Sequence, residues 1–136
     1  MQRSLPAITP DNRAFWTGGE NGRLMIARCC NCRTYVHPPT SFCPACESRD
    51  LVPEPVSGRG TVATYTVNFR QWLPGQTVPY VLALVELDED VTIRLPANIV
   101  GTEPADVFIG MPVEAVFEQV EDLHVPQFRA SAAGAA

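Results

Sequence analysis

The stretch that decides the fold runs from Cys29 to Cys46 and reads CCNCRTYVHPPTSFCPAC. All five cysteines of the 136-residue chain lie within it. Two residues separate Cys29 from Cys32 and Cys43 from Cys46, and ten residues lie between the two pairs. Each C-x2-C turn directs two sulfurs at one point, so two such turns supply the four thiolates of a tetrahedral zinc site. The spacing therefore predicts a zinc ion bound by Cys29, Cys32, Cys43 and Cys46.

Four protein ligands leave no open coordination position, which predicts a structural ion and not a Lewis acid. Iron in an S4 site and a metal-free redox pair are the alternatives, although a redox C-x2-C needs no second copy facing it. Using Cys30 in place of Cys29 would leave a C-x-C turn, so Cys30 is interpreted as a free thiol. The first 57 residues hold few large apolar side chains, and a module that small usually needs a metal to stay folded.

Helix and strand signals surround the cysteines. Thr9 as N-cap followed by Pro10 predicts a short helix that buries Phe15 and Trp16 and ends at the following glycines. Residues 23–28 predict a strand leading into the first cysteine pair. Prolines and glycines make residues 51–60 look like a loop. We therefore place the boundary between two modules there.

The rest of the chain predicts five short strands. Residues 61–69 alternate, with Ala63, Tyr65, Val67 and Phe69 on one face. Residues 81–87 (VLALVEL) form a continuous apolar run, which predicts a strand buried on both faces. The other three strands are predicted at 91–95, 113–120 and 125–129.

A helical turn between the third and fourth strands favours a Greek-key barrel of the OB type. An immunoglobulin-like sandwich needs about seven strands and fits less well. The predicted class is mainly β: helix and zinc module over residues 1–57, five-stranded barrel over 58–129, and disordered tail over 130–136.

Composition excludes several functions. All ten cations are arginine, so the chain has no lysine for Schiff-base chemistry or for a P-loop. Residues 61–136 carry three Arg and ten acids, which argues against binding to phosphate backbones. No apolar run approaches the roughly 18–20 residues that span a bilayer. With no signal-peptide pattern and with cysteines grouped for metal, the expected location is the cytoplasm.

Three further motifs carry a family resemblance: His37-Pro38-Pro39, Ser57-Gly58-Arg59-Gly60 and Gly110-Met111-Pro112-Val113. With the cysteines, they make the chain from about Asp11 to Arg129 resemble an acyl-CoA-associated family. That family, known as domain of unknown function thirty-five, has an N-terminal rubredoxin-like zinc ribbon and a C-terminal OB fold. Two residues depart from its pattern: Arg33 stands where the family usually has glycine, and Cys30 is additional.

The resemblance implies a small, non-catalytic subunit of a heteromeric acyl-CoA-processing complex. Its partner would be a thiolase-fold enzyme: a thiolase, an acyltransferase or a lipid-transfer-protein-like aldolase. The small subunit would stabilise that partner and help to shape the path of its CoA thioester substrate. The residues agree, since the only histidines, His37 and His124, have no companions that form a recognisable catalytic set.

The partner surface is predicted at the segment after the first barrel strand. Trp and Arg are enriched at interface hot spots, so Arg70, Trp72 and Leu73 are the candidate contacts to the partner or the acyl chain. The alternative is that Trp72 folds back to cap the barrel. A different function, single-stranded nucleic-acid binding, would need Tyr65 and Phe69 to point outward, and the acidic charge opposes it.

Overall fold

A computed structural model of the chain describes residues 5–72 and 74–131, which form a three-stranded sheet followed by a closed five-stranded barrel. The prediction of a mainly β chain with an OB-type barrel is confirmed. One short α-helix, α1 (Arg13–Thr17), and a 3-10 turn (Gly18–Asn21) precede the strands. The strands are β1 (Leu24–Cys29), β2 (Tyr35–Val36), β3 (Leu51–Val56), β4 (Arg59–Asn68), β5 (Tyr80–Leu87), β6 (Asp90–Ile99), β7 (Pro112–Val120) and β8 (Leu123–Ala130).

The first sheet has the order β2-β1-β3 and is antiparallel throughout. The prediction of a loop at 51–60 is wrong, because Leu51–Val56 is the strand β3. Pro53 and Pro55 pair with Ala27 and Met25 of β1. The other edge of β3 is not paired with a strand of this sheet. Residues two apart in a strand direct their backbone N–H and C=O groups to the same edge. Two prolines at this spacing therefore fit an edge strand, where a missing N–H costs no ladder bond.

The barrel closes in the order β4-β5-β6-β8-β7, with β7 returning to β4. β6 and β8 run parallel and share the single register pair Ile99 and Phe128, while the other strand pairs are antiparallel. Phe128 is fully buried. Leu24 and Ile26 of β1 belong to the same buried cluster as the barrel residues. The ribbon sheet and the barrel thus share one hydrophobic core.

The alternation of core-facing and outward-facing residues in β4 is interrupted in the middle of the strand. Gly60 and Val62 are buried, and a register shift between Val62 and Thr64 then reverses the alternation, so that Tyr65 and Val67 pack against the core. The bulge is expected where a barrel strand must bend. Phe69, predicted on the same face as Tyr65 and Val67, follows the end of the strand and is 74% exposed.

The prediction that residues 81–87 form a strand buried on both faces is wrong. In β5, Val81, Ala83, Val85 and Leu87 point into the barrel and are buried, whereas Leu82 on the outer face is 43% exposed. The apolar run therefore fills the core with one face only. Its outer face remains open in the single chain.

The N-terminal helix is shorter than predicted and begins at Arg13, four residues after Thr9. Thr9 and Asn12 bond to each other: Thr9 N–H donates to Asn12 Oδ1 (2.8 Å) and Asn12 N–H to Thr9 Oγ1 (3.3 Å). These reciprocal bonds have the form of a capping box, and Arg13 N–H donates to the Thr9 carbonyl (3.1 Å), so the turn that begins at Thr9 leads into α1. Phe15 and Trp16, predicted to be buried, are only partly so, and α1 and the 3-10 turn lie against β8.

The linker between the sheet and the barrel is held by the acidic β5–β6 turn. Ser57 donates its N–H and its hydroxyl to the Glu89 carboxylate. Asp88 N–H donates to the carbonyl of Arg59 (3.0 Å), and Ala115 N–H to that of Gly58 (2.8 Å). Because these bonds join the linker to two barrel segments, they fix the direction in which the ribbon leaves the barrel.

The C-terminal strand extends into the segment predicted as a disordered tail. Ala130 ends β8, and Ser131 is buried and donates its N–H to the Pro112 carbonyl (3.0 Å). Residues 132–136 lie outside the described residues. Within residues 5–72 and 74–131, no helix has the length and apolar character needed to cross a membrane.

Candidate metal centre

Two turns of the same geometry carry the cysteine pairs. In the first, Cys29 N–H donates to the Thr34 carbonyl (2.9 Å) and Arg33 N–H to the Cys29 carbonyl (2.9 Å). In the second, the Cys43 N–H donates to the Ser48 carbonyl (2.8 Å) and the Glu47 N–H donates to the Cys43 carbonyl (2.8 Å). The chain therefore folds back at the same interval after each first cysteine. Both turns present their sulfurs in the same way.

Each turn requires one residue with left-handed backbone geometry. Arg33 has φ 64° and Glu47 has φ 66°, and both stand four residues after the first cysteine of their pair. Glycine adopts this conformation with the least strain, which gives a physical reason for glycine in the family pattern at position 33. The turn itself forms with arginine in that place.

The four predicted sulfurs come together. Cys29, Cys32, Cys43 and Cys46 place their Sγ atoms within 4.8 Å of one another. The Cys29–Cys46 and Cys32–Cys43 sulfur pairs are each 3.6 Å apart. Four sulfurs about 2.3 Å from a zinc ion form a tetrahedron with edges of about 3.8 Å. The donor set and its spacing therefore fit a tetrahedral zinc ion.

Neighbouring polar groups prepare two of the thiols for ionisation. Hydrogen bonds from the side chain and backbone of Thr34 lower the pKa of the Cys32 thiol to about 6. The Asn31 side chain, followed by the backbone of Ser48, lowers the pKa of Cys46. Sequence analysis missed Asn31 and Thr34, although they lie one residue before and two residues after Cys32; nothing in the cysteine spacing indicates which neighbours reach a sulfur.

Cys43 has the opposite environment. It is fully buried, and burial raises its pKa. A buried thiolate needs a nearby positive charge, and a metal ion bound by the other three sulfurs supplies one. The thiolate form of Cys43 would therefore be stabilised by the cation that it binds.

Cys30 lies outside the cluster. Its side chain is exposed, and its backbone N–H donates to the Asp50 carbonyl (2.8 Å), which ties the first turn to the start of β3. Partial desolvation of the sulfur, followed by the negative charge of Asp50, raises the pKa of the Cys30 thiol. A thiol of raised pKa is a weak nucleophile and a weak ligand.

His37 packs inside the ribbon next to the N-terminal helix. Its ring lies 4.8 Å from that of Phe15, and its buried Nδ1 has no hydrogen-bond partner among the described residues. Burial lowers the pKa of His37 to about 4. The histidine is therefore neutral at pH 7 and serves as a packing residue.

We expect His37 to make the protein sensitive to mild acid. Because the folded pKa lies below the unfolded value near 6.5, the unfolded chain takes up the proton first, and stability is lost as pH falls from about 6.5 to 4. Between pH 6.5 and 5, the free energy of unfolding of the His37→Asn variant should fall by about 1 kcal/mol less per pH unit than that of wild type. Urea unfolding across this range, with zinc content measured on the same samples, tests it; parallel curves for the two proteins would contradict it.

The predicted partner contacts lie on a braced, exposed loop. Trp72 is 63% exposed, its Nε1 donates to Asn68 Oδ1 (3.0 Å), and its backbone N–H donates to Gln76 Oε1 (3.0 Å). The Arg70 guanidinium lies over the indole at 4.5 Å. Trp72 thus does not cap the barrel, and Leu73 lies outside the described residues. The bracing side chains Asn68 and Gln76 were not predicted.

The aromatic pair considered for nucleic-acid stacking does not share an open face. Tyr65 packs against the barrel core, whereas Phe69 is exposed beyond the end of β4. Base stacking on an OB barrel uses aromatics presented together along one surface. Tyr65 and Phe69 therefore do not form a shared stacking surface.

Comparison with known proteins identifies both modules. Residues 16–52 match the family described as the rubredoxin-like zinc ribbon domain of ChsH2, and residues 53–118 match its C-terminal OB-fold domain. A DUF35 domain-containing scaffold protein of Methanocaldococcus jannaschii is 38% identical over 106 residues, which cover 73% of this chain and 70% of that protein. The chain belongs to the DUF35 family. The DUF35 zinc ribbon holds a structural zinc ion, and the four sulfurs are positioned to bind it.

Two further relatives of this DUF35 protein extend the comparison. A probable enoyl-CoA hydratase alpha subunit of Thermomonospora curvata is 40% identical over 128 residues, which cover 93% of this chain and only 40% of that subunit. The solved structure of an Ltp2-ChsH2(DUF35) aldolase contains a chain 39% identical to this one, with a TM-score of 0.84. That match covers 93% of this chain and 98% of the other.

Proposed function

We propose that this DUF35 protein is the small, non-catalytic subunit of a heteromeric acyl-CoA-processing complex. In this proposal it binds and stabilises a thiolase-fold enzyme of the cytoplasm: a thiolase, an acyltransferase or a lipid-transfer-protein-like aldolase. The match to the Ltp2-ChsH2(DUF35) aldolase carries the proposal, because it extends over nearly the whole of that chain at 39% identity. The family resemblance supports the thiolase fold of the partner.

The chemistry of the described residues supports the proposal that the partner carries the catalytic residues. A histidine that acts as a general base is held in place by a hydrogen bond to its second ring nitrogen. The buried Nδ1 atoms of His37 and His124 have no such partner among the described residues. The zinc ligands fill all four coordination positions, which leaves none for substrate. The role proposed for this chain is therefore positioning, including the path of the CoA thioester.

The loop after β4 supports a protein-binding role. An exposed tryptophan normally loses side-chain freedom on binding, which lowers affinity. Here hydrogen bonds to Asn68 and Gln76 already hold the Trp72 side chain and backbone, and Arg70 stacks on its ring. Trp and Arg are residue types that are enriched at interface hot spots, and here both are ordered before binding. We place Arg70, Trp72 and Leu73 in the contact with the partner.

The Trp72→Ala variant tests this contact. We expect it to weaken association with the thiolase-fold subunit by about 2 kcal/mol or more, a roughly thirtyfold rise in Kd. Co-purification and titration of the two subunits measure the loss. The melting temperature of the isolated chain should stay the same, because Trp72 is exposed. Full association by the variant would remove Trp72 from the interface.

A further inference from the structure

The outer surface of the barrel beside β5 is uncharged and combines apolar side chains with neutral polar ones. Thr64, Leu84 and Pro96 form one row across β4, β5 and β6, and Thr66, Leu82 and Asn98 form the next. We call these six residues the Leu82 face. Leu82 is 43% exposed at its centre. A strand that is apolar on both sides is normally covered on both sides, but in the single chain this side of β5 is open.

Three cavities meet at Leu82. The largest, about 710 Å³, lies between the loop before β5 and the segment after β6. A second of about 180 Å³ separates the face from Phe15 and Trp16, and a third of about 230 Å³ lies over Leu84 and Pro96. Contiguous concavities around an exposed leucine are features of a surface that another molecule covers.

The Leu82 face is continuous with the contact proposed at Trp72. Gln76 lines the largest cavity, and its Oε1 also accepts the Trp72 N–H (3.0 Å). One loop therefore borders both surfaces. A partner seated on Trp72 would reach the cavity beside Leu82 without crossing a charged strip on that loop.

Charge limits the kind of partner. The six residues of the face are uncharged, and charge on β5 and β6 begins one row farther on, at the Glu86–Arg94 ion pair (3.5 Å). At the far wall of the largest cavity, Glu118 accepts a hydrogen bond from Gln127 (2.7 Å). A nucleic acid or an anionic membrane would need arginine here. The complementary surface is an uncharged protein surface that is apolar opposite Leu82, Leu84 and Pro96.

We propose that the Leu82 face is covered by an apolar, uncharged surface of the same partner subunit that contacts Trp72. The inference rests on the proposed function and adds where on the barrel the partner lies. It also explains the apolar outer side of β5, which the core of the barrel does not use. Leu82 is then the centre of the interface, where truncation or a buried charge costs most.

The test compares two substitutions that add the same charge. Leu82→Glu puts a carboxylate at the centre of the face, and Val91→Glu puts one on an exposed apolar residue (61% exposed) near the other end of β6. Each variant is co-expressed with thiolase-fold subunits of the source organism and titrated against the one that binds wild type. We expect Leu82→Glu to raise Kd at least about tenfold and Val91→Glu to change it less than twofold.

Control measurements separate the possible failures. Circular dichroism and zinc content show whether each variant is folded, and the smaller change Leu82→Ala replaces Leu82→Glu if it is not. If a folded Leu82 variant binds the partner as tightly as wild type does, the inference is overturned and the proposed function stands. No binding by wild type to any thiolase-fold subunit overturns both. Gel filtration of the chain alone tests a second copy as occupant: a wild-type dimer that Leu82→Glu dissociates also overturns the inference.

Discussion

The Cys43→Ser variant is expected to lose its zinc ion and the fold of its ribbon. Cys43 supplies a fully buried ligand, and its sulfur lies 3.6 Å from that of Cys32. Serine is a far weaker zinc ligand than a thiolate at neutral pH. The ribbon core that packs around the cysteines is small, comprising Cys29, Val36 and Cys43 with partly buried neighbours. Binding of zinc to such modules supplies about 10–16 kcal/mol of their folding free energy.

Zinc analysis and hydrogen exchange measure this effect. Wild type should hold about one zinc ion per chain and Cys43→Ser close to none, with amide protection lost in β1 and β2. Cys30→Ser is the matched control, since it changes an adjacent cysteine whose sulfur lies outside the cluster, and it should keep the zinc. Full zinc content in Cys43→Ser, or loss of zinc in Cys30→Ser, would contradict the assigned ligand set.

Loss of zinc should also weaken the barrel. Leu24 and Ile26 of β1 are buried in the same cluster as the barrel residues. If β1 detaches with the ribbon, both side chains leave that cluster, and each removes about 1.5–3 kcal/mol of apolar burial. The melting temperature of the barrel should therefore fall on chelation of zinc. An unchanged barrel transition would show that β1 stays docked without the metal.

The metal centre was predictable from sequence because it depends on local spacing. Two C-x2-C turns determine their own geometry from a few neighbouring residues, so the four cysteines that cluster could be named without the rest of the fold. The barrel was predictable for a related reason, since alternation and turn residues mark its strands. The topology of closure followed from strand number and the helical interruption.

The features that sequence analysis missed depend on contacts between distant segments. Pro53 and Pro55 disfavour a strand locally, and only the free edge of β3 makes them acceptable. The bulge after Val62 is set by the bending of the barrel, which no single-strand pattern records. Glu89 lies in the β5–β6 turn and bonds to Ser57, 32 residues away in the sequence, a contact that no local pattern predicts.

The apolar run of β5 shows a different limit. Its pattern correctly identifies a strand with two apolar faces, but the pattern does not say what covers each face. In the single chain the core covers one face, and Leu82 on the other is open. A strand that lies in an interface and a strand that lies in a core therefore look alike in sequence, because the apolar side chains of both are removed from water.

The second large effect is expected for Phe128→Ala in the barrel core. Phe128 is fully buried, pairs with Ile99 at the single β6–β8 register position, and accepts the Val100 N–H through its carbonyl (2.8 Å). Truncating a buried phenylalanine costs about 3–5 kcal/mol, because transfer energy is lost and a cavity remains. Urea unfolding should show this loss. Phe108→Ala, at a side chain that is 54% exposed, should lose less than about 1 kcal/mol.

Zinc content of Phe128→Ala then tells how the two modules are coupled. The cysteines pack in a cluster separate from that of Phe128, and the four ligands come from turns outside the barrel. The variant should therefore keep about one zinc ion under conditions where its barrel is loosened. Release of zinc together with barrel unfolding would mean that the Glu89–Ser57 linker and the shared packing of β1 make the two modules one cooperative unit. In that case, a partner that stabilises the barrel would also stabilise the metal site.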